Sequence, residues 1–163
     1  STKVGMHAHV VGNTLYLPED AGGTIFNDDG SLTEAGYKLL VHEAAHVWQN
    51  QHLGPSYKHK AIVAQTLGDG YDWEKGIAEG KSFGELNPEQ QAELLEKIGE
   101  SIHDGELVLA PEDEKYRNYF LTTLEQLSPG AAARYGTVGE AAAARELAKR
   151  WPPPSLVFDP YKD

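Results

Sequence analysis

The sequence predicts one α+β domain, with a small N-terminal β-sheet packed on a helical body. Three observations predict it. Apolar residues alternate along Val4, Met6, Ala8 and Val10, and the run Leu15-Tyr16-Leu17 follows across Gly12-Asn13. Two helix-opening signatures come later, Ser31-x-x-Glu34 and Asn87-Pro88-x-Gln90. The chain has 163 residues, with no internal repeat and no low-complexity linker, and that length closes one core.

Residues 3 to 26 read as β structure, with Gly12-Asn13 as a tight hairpin turn. Pro18 ends the second run. His7 and His9 share one strand face and are read as exposed. Asn27-Asp28-Asp29-Gly30 is a solvated turn, because the spacing of its acids does not suit a calcium loop. With Ser31 as cap, a helix is expected from about Leu32 to about Gln51, ending before Gly54-Pro55. Pro55 to Leu67 reads as a second helix. Tyr71 to Gly84 reads as an ordered loop, since Gly76, Gly80 and Gly84 oppose a stable helix. The next helix runs from Pro88 to about His103, with Ala92, Leu94, Leu95, Ile98 and Ile102 toward the core. Glu112 to Leu127 and Gly139 to Arg150 complete the body. Trp151-Pro152-Pro153-Pro154 starts an extended tail to residue 163.

The formal net charge is -11 and no basic run is present, which argues against a nucleic-acid partner. The same balance argues against an anionic membrane, and no apolar run reaches spanning length. With no cysteine, disulfides and thiolate metal sites are excluded. The chain opens Ser1-Thr2 rather than Met, so the lack of a targeting pattern leaves its location open.

The chemistry concentrates in Val41-His42-Glu43-Ala44-Ala45-His46, an H-E-x-x-H motif. On a helix, His42 and His46 stand one turn apart on one face and can share a tetrahedral metal ion. Glu43 lies one step round, within reach of a water on that metal. This is the zincin arrangement. The helix is largely apolar around the motif, so its two imidazoles need buried partners, and a zinc ion supplies one. The alternative is a chance motif whose histidines are merely hydrogen-bonded. A third ligand must come from elsewhere. His52 does not suit the longer metzincin motif, because position 49 is Gln rather than Gly. Glu74, Glu79 and Glu85 are candidates, as are Asp69 and Asp72. Glu89 and Glu93 lie four apart on the helix opened by Asn87.

The segment VHEAAHVWQ followed by NPEQQAE resembles gluzincin-type zinc metallopeptidases. It is similar to the metallopeptidase-like domains of bacterial contractile-injection and Rhs-type polymorphic-toxin proteins, and to minimal gluzincins. The resemblance covers roughly Leu15 to Ile98. It implies a zincin-like fold, Glu89 as third zinc ligand and Glu93 as the acid that orients a ligand histidine, where gluzincins usually carry Asp. It implies a peptide or protein substrate and a domain of a longer effector, secreted or delivered by a bacterial secretion system. In such an enzyme Glu43 is the general base. Tyr57, Tyr71, Tyr116 and His103 are all candidate donors to the oxyanion, and the strand Asn13 to Leu17 would take substrate by edge addition. A zinc-binding accessory domain without turnover and a metal-free helical interaction domain are the competing expectations.

Overall fold

The computed structural model describes residues 9–11, 13–17, 25–53 and 70–153. The architecture is mixed α+β. Among the described residues there are six α-helices and two small two-stranded sheets. The segments expected at 1–8, 18–24, 54–69 and 154–163 lie outside the described residues, and with them His7, Tyr57, Asp69, the helix expected from Pro55 and most of the tail. No described helix is long and apolar enough to cross a membrane.

Strands β1 (His9–Val11) and β2 (Thr14–Tyr16) pair antiparallel, with Val11 opposite Thr14. The chain thus reverses between Val11 and Thr14, where the sequence predicts a turn. The hairpin packs on helix α1 (Glu34–Leu53), and Asn50 Nδ2 donates to Asn13 Oδ1 at 2.9 Å.

The entry to α1 differs from expectation. Asp29 accepts from both the backbone N–H and the hydroxyl of Ser31, at 2.9 and 2.6 Å. Ser31 is thereby consumed by the turn. Thr33 caps the helix instead, accepting from the Gly36 N–H at 2.9 Å. A second correction concerns residues 71–84. Helix α2 (Trp73–Ala78) forms there, with Asp72 accepting from the Lys75 N–H at 3.0 Å. Gly76 does not break it. It lets the helix sit against Leu86, whose Cδ2 would lie 2.3 Å from an added Cβ. A 3-10 turn, Phe83–Glu85, leads to α3 (Pro88–Glu100).

Helix α3 opens as predicted. Asn87 and Gln90 satisfy each other's backbone N–H groups at 2.8 and 2.9 Å. It ends at Glu100, three residues before the expected limit. Ile102–His103 (β3) and Glu106–Leu107 (β4) form a second hairpin around Asp104 and Gly105, both at positive φ (51° and 77°). The expected helix from Glu112 is a 3-10 turn, Pro111–Tyr116, before α4 (Arg117–Leu127). Helices α5 (Ala131–Tyr135) and α6 (Val138–Arg150) close the body, and Thr137 caps α6.

The apolar core lies to one side of α3. Leu94 and Ile98 belong to one buried cluster with Trp73, Phe83, Leu86, Leu107, Phe120, Leu121, Ala141 and Ala144. The other side of α3 faces α1. Lys38, His42, His46 and Gln49 meet Glu100, Glu96, Glu89 and the Pro88 carbonyl respectively. Numbers rise on one helix as they fall on the other, so the two are antiparallel.

Gly36 lies where α1 passes the backbone of Ile25. A Cβ there would meet Ile25 O at 2.2 Å and its carbonyl carbon at 2.8 Å. Backbone cannot yield as a side-chain tip does, so Gly36→Ala should lose about 1–3 kcal/mol, despite a helix-propensity gain of up to about 1 kcal/mol. Urea unfolding monitored by circular dichroism measures it, and a stabilised variant would contradict this packing.

Candidate metal centre

Three side chains converge where α1 crosses the first turn of α3. His42 Nε2 lies 3.2 Å from His46 Nε2. Glu89 Oε2 is 3.3 Å from the first nitrogen, and Glu89 Oε1 is 3.3 Å from the second. The helix period places the two imidazoles on one face, and their rings meet edge to face with centroids 4.9 Å apart. The Asn87 cap and Pro88 put Glu89 in the first turn of α3, where exposed N–H groups favour an anion.

These separations suit a small cation. A tetrahedron with metal–ligand bonds of about 2.0–2.1 Å has edges of about 3.3 Å. The donor set is two imidazoles and a carboxylate, which suits zinc and excludes thiolate-dependent sites. One ligand atom from each of His42, His46 and Glu89 lies within 4.8 Å of the other two.

The charges are mutually adjusted. Burial alone would raise the Glu89 carboxyl, but hydrogen bonds with His42 and His46 and their charges hold it down at about 2. Burial alone would lower both imidazoles. Glu89 overrides it and holds each above its ordinary value, with Glu43 and Glu93 adding to the effect on His42 and Gln49 to that on His46. Glu43 is only 8 % exposed. Its charge also reaches Tyr71, whose phenol is raised by burial, Glu89, Glu93 and Glu43. The Tyr71 ring lies 6.2 Å from that of His42.

Of the candidate oxyanion donors among the described residues, Tyr71 is the one brought to this centre. Tyr116 donates to Glu74 at 3.3 Å and packs on Trp73 and Phe120. His103 sits in the β3–β4 hairpin past the far end of α3, beside a cavity lined with Leu32, Tyr37, Lys38 and Glu100. About 16 Å of helix rise separates Glu89 from Glu100. Tyr57 lies outside the described residues, and of His9 only its place in β1 is described.

The rival ligands have other work. Asp72 caps α2, Glu74 accepts from Tyr116, Glu79 pairs with Lys81 at 3.3 Å and Glu85 accepts from Ser82 at 2.8 Å. Glu93 and Glu96 both stand beside His42, with one ligand atom of each of the three within 4.8 Å of the others. Glu96, seven residues beyond Glu89, lies 3.5 Å from His42 Nδ1. Burial and the Glu93 carboxylate push Glu96 up to about 7. Sequence reasoning stopped at Glu93, although Glu89, Glu93, Glu96 and Glu100 form a stripe at helical spacing. It also passed over Gln49, whose Oε1 lies 2.8 Å from His46 Nδ1. Gln49 follows the motif directly, and a polar amide in an apolar helix was the available signal.

Comparison with protein-family models, curated proteins and solved structures gives no match for this chain.

Two predictions follow from the geometry. Elemental analysis should find one zinc per chain, and Glu89→Ala should weaken binding about a hundredfold or more, while Glu79→Ala and Glu85→Ala leave it unchanged. Protons compete with metal for both imidazoles, which titrate above the ordinary 6.5. Zinc affinity should therefore be full at alkaline pH and fall as pH drops through those raised values. Calorimetric titration at about pH 8 and about pH 6 should differ at least about tenfold; equal affinities would argue against imidazole ligation.

Proposed function

We propose that this chain is a zinc-dependent metallopeptidase of zincin-like, gluzincin type. The observation that carries the reading is the ligand triangle of His42, His46 and Glu89, with a buried Glu43 beside it. The resemblance of VHEAAHVWQ and NPEQQAE to gluzincins supports it. So does the convergence of Glu89 from a separate helix on the H-E-x-x-H face. A structural zinc site is usually closed by a fourth protein ligand. Among the described residues beside the triangle are Glu43 and Tyr71, an acid and a phenol that suit proton transfer and hydrogen-bond donation.

A bound zinc ion would supply Lewis acidity toward a water and toward the peptide carbonyl. His42, His46 and Glu89 hold it. Glu43 takes a proton from the attacking water as its oxygen bonds to the carbonyl carbon. The carbon–nitrogen bond then breaks, and Glu43 returns that proton to the leaving amine. The Tyr71 hydroxyl donates a hydrogen bond to the oxygen that gains charge. The substrate on this reading is a peptide or protein, and the chain acts as a domain of a longer bacterial effector.

The test is digestion of a mixed peptide library by the zinc-loaded protein, read by mass spectrometry. Glu43→Gln should keep its zinc and lose about 10²–10⁴-fold in kcat. Tyr71→Phe should lose about 10²–10³-fold in kcat with KM little changed. Turnover that survives Glu43→Gln would remove Glu43 from its role. A zinc-loaded wild type that cleaves nothing would instead favour a non-catalytic zinc-binding accessory domain.

A further inference from the structure

A buried chain of amide hydrogen bonds runs from the turn before α3 to the metal centre, and it has a direction. Gln91 is fully buried. Its Nε2 donates to the backbone carbonyls of Phe83 and Leu86, at 3.1 and 3.3 Å. A carbonyl oxygen only accepts, so this amide cannot be turned round. Gln91 Oε1 is left facing α1, where it accepts from Gln49 Nε2 at 3.0 Å. Gln49 Nε2 also donates to Pro88 O at 3.0 Å. Two acceptors therefore fix Gln49 as well, and it is only 4 % exposed. Its Oε1 then faces His46 Nδ1 at 2.8 Å. An acceptor at that place draws the proton to Nδ1, while Glu89 Oε1, 3.3 Å from Nε2, draws it the other way. A neutral imidazole carries one N–H, so once the Glu89 carboxylate is engaged by a cation, His46 Nε2 is left with a bare lone pair.

We propose that Gln49 and Gln91 form a positioning relay that fixes the tautomer of His46, and with it the nitrogen offered to the metal. The proposal rests on reading His46 as a metal ligand, but the tautomer is a property of the chain itself. Neither glutamine touches the metal position. Each acts through its neighbour, and the orientation originates in two backbone carbonyls that no protonation change can reverse. Neutral amides suit this place. Glu43, Glu89, Glu93 and Glu96 already surround the two imidazoles, and a carboxylate at position 49 would face Pro88 O and Gln91 Oε1 with no proton to give either.

The first readout is the ring-nitrogen spectrum of metal-free Glu89→Ala at alkaline pH, where both imidazoles are neutral and no carboxylate at position 89 competes for the proton at Nε2. His46 should carry its proton on Nδ1. The second is Gln49→Met, which keeps the bulk of the side chain and removes both its donor and its acceptor. Added to Glu89→Ala it should give a mixture of His46 tautomers, and alone it should weaken zinc binding about 10–100-fold. Gln91→Met leaves Pro88 O still holding Gln49, so its effect on both readouts should be smaller. A merely structural role would lower thermal stability and leave tautomer populations alone. A metal-free Glu89→Ala protein with His46 protonated on Nε2 overturns the relay, as does a folded Gln49→Met with unchanged tautomer and zinc affinity. Neither readout needs turnover, so loss of the peptidase reading and loss of the relay are told apart.

Discussion

The antiparallel contact between α1 and α3 is the constraint on which the centre depends. Glu89, Glu93, Glu96 and Glu100 lie along one face of α3, while Leu94 and Ile98 lie along the opposite one. The second face is bound into the apolar core. The first is left to face α1 with four acids. A row of half-buried charged and polar groups contributes little net stability, because desolvation offsets attraction. The burial of Leu94 and Ile98 behind it holds the row in place. The core on one side of α3 thus permits a polar, ligand-rich seam on the other.

Along that seam, environment divides residues of one type into different states. Glu89 faces two imidazoles and is held at about 2. Glu96, two turns along the same helix, is pushed up to about 7 by burial and by Glu93. The sign of the neighbouring charge makes the difference. Glu89 is an anion at any physiological pH and fit to hold a cation. In the metal-free protein its contribution to stability is present above the ordinary carboxyl value and is lost only as pH falls toward 2. The imidazole side of the same pairing behaves oppositely. It stabilises below the ordinary histidine value and fades as pH rises through the raised one.

Much of this was legible in the sequence, and the illegible parts have common causes. Local signals read well where one stretch carries both partners. Asn87 caps with Gln90 three residues away, Gly12-Asn13 joins strands that pair at once, and His42 and His46 need only one helical turn. The α1 cap was misread because Ser31 and Thr33 both qualify, and only the competing Asp29 turn decides between them. Gly76 looked like a helix breaker because its reason for being small, Leu86, is ten residues away. The Asp104-Gly105 turn was a readable hairpin signal that the helical pattern before it obscured. The pairings of Glu96 with His42 and of Gln49 with Gln91 lie beyond the sequence for a deeper reason. Which acid meets His42 depends on the direction and offset of two helices separated by thirty-four residues, and no local pattern encodes that.

The hydrogen bonds at the start of α3 also join pieces of chain into larger bodies. Gln90 Nε2 donates to Asp72 O at 2.8 Å, and Gln91 holds the carbonyls of Phe83 and Leu86. Residues 71 to 87, with the Tyr71 ring, are thereby fastened to the turn that carries Glu89. Opposite them, α1 carries His42, Glu43 and His46, with the β1–β2 hairpin packed against it. The ligand triangle therefore has two corners on α1 and the third on α3. Any motion that parts these two helices also stretches the two edges of the triangle that cross between them. A cation held at the three corners would resist that parting alongside the Gln49 hydrogen bonds and the Lys38–Glu100 pair.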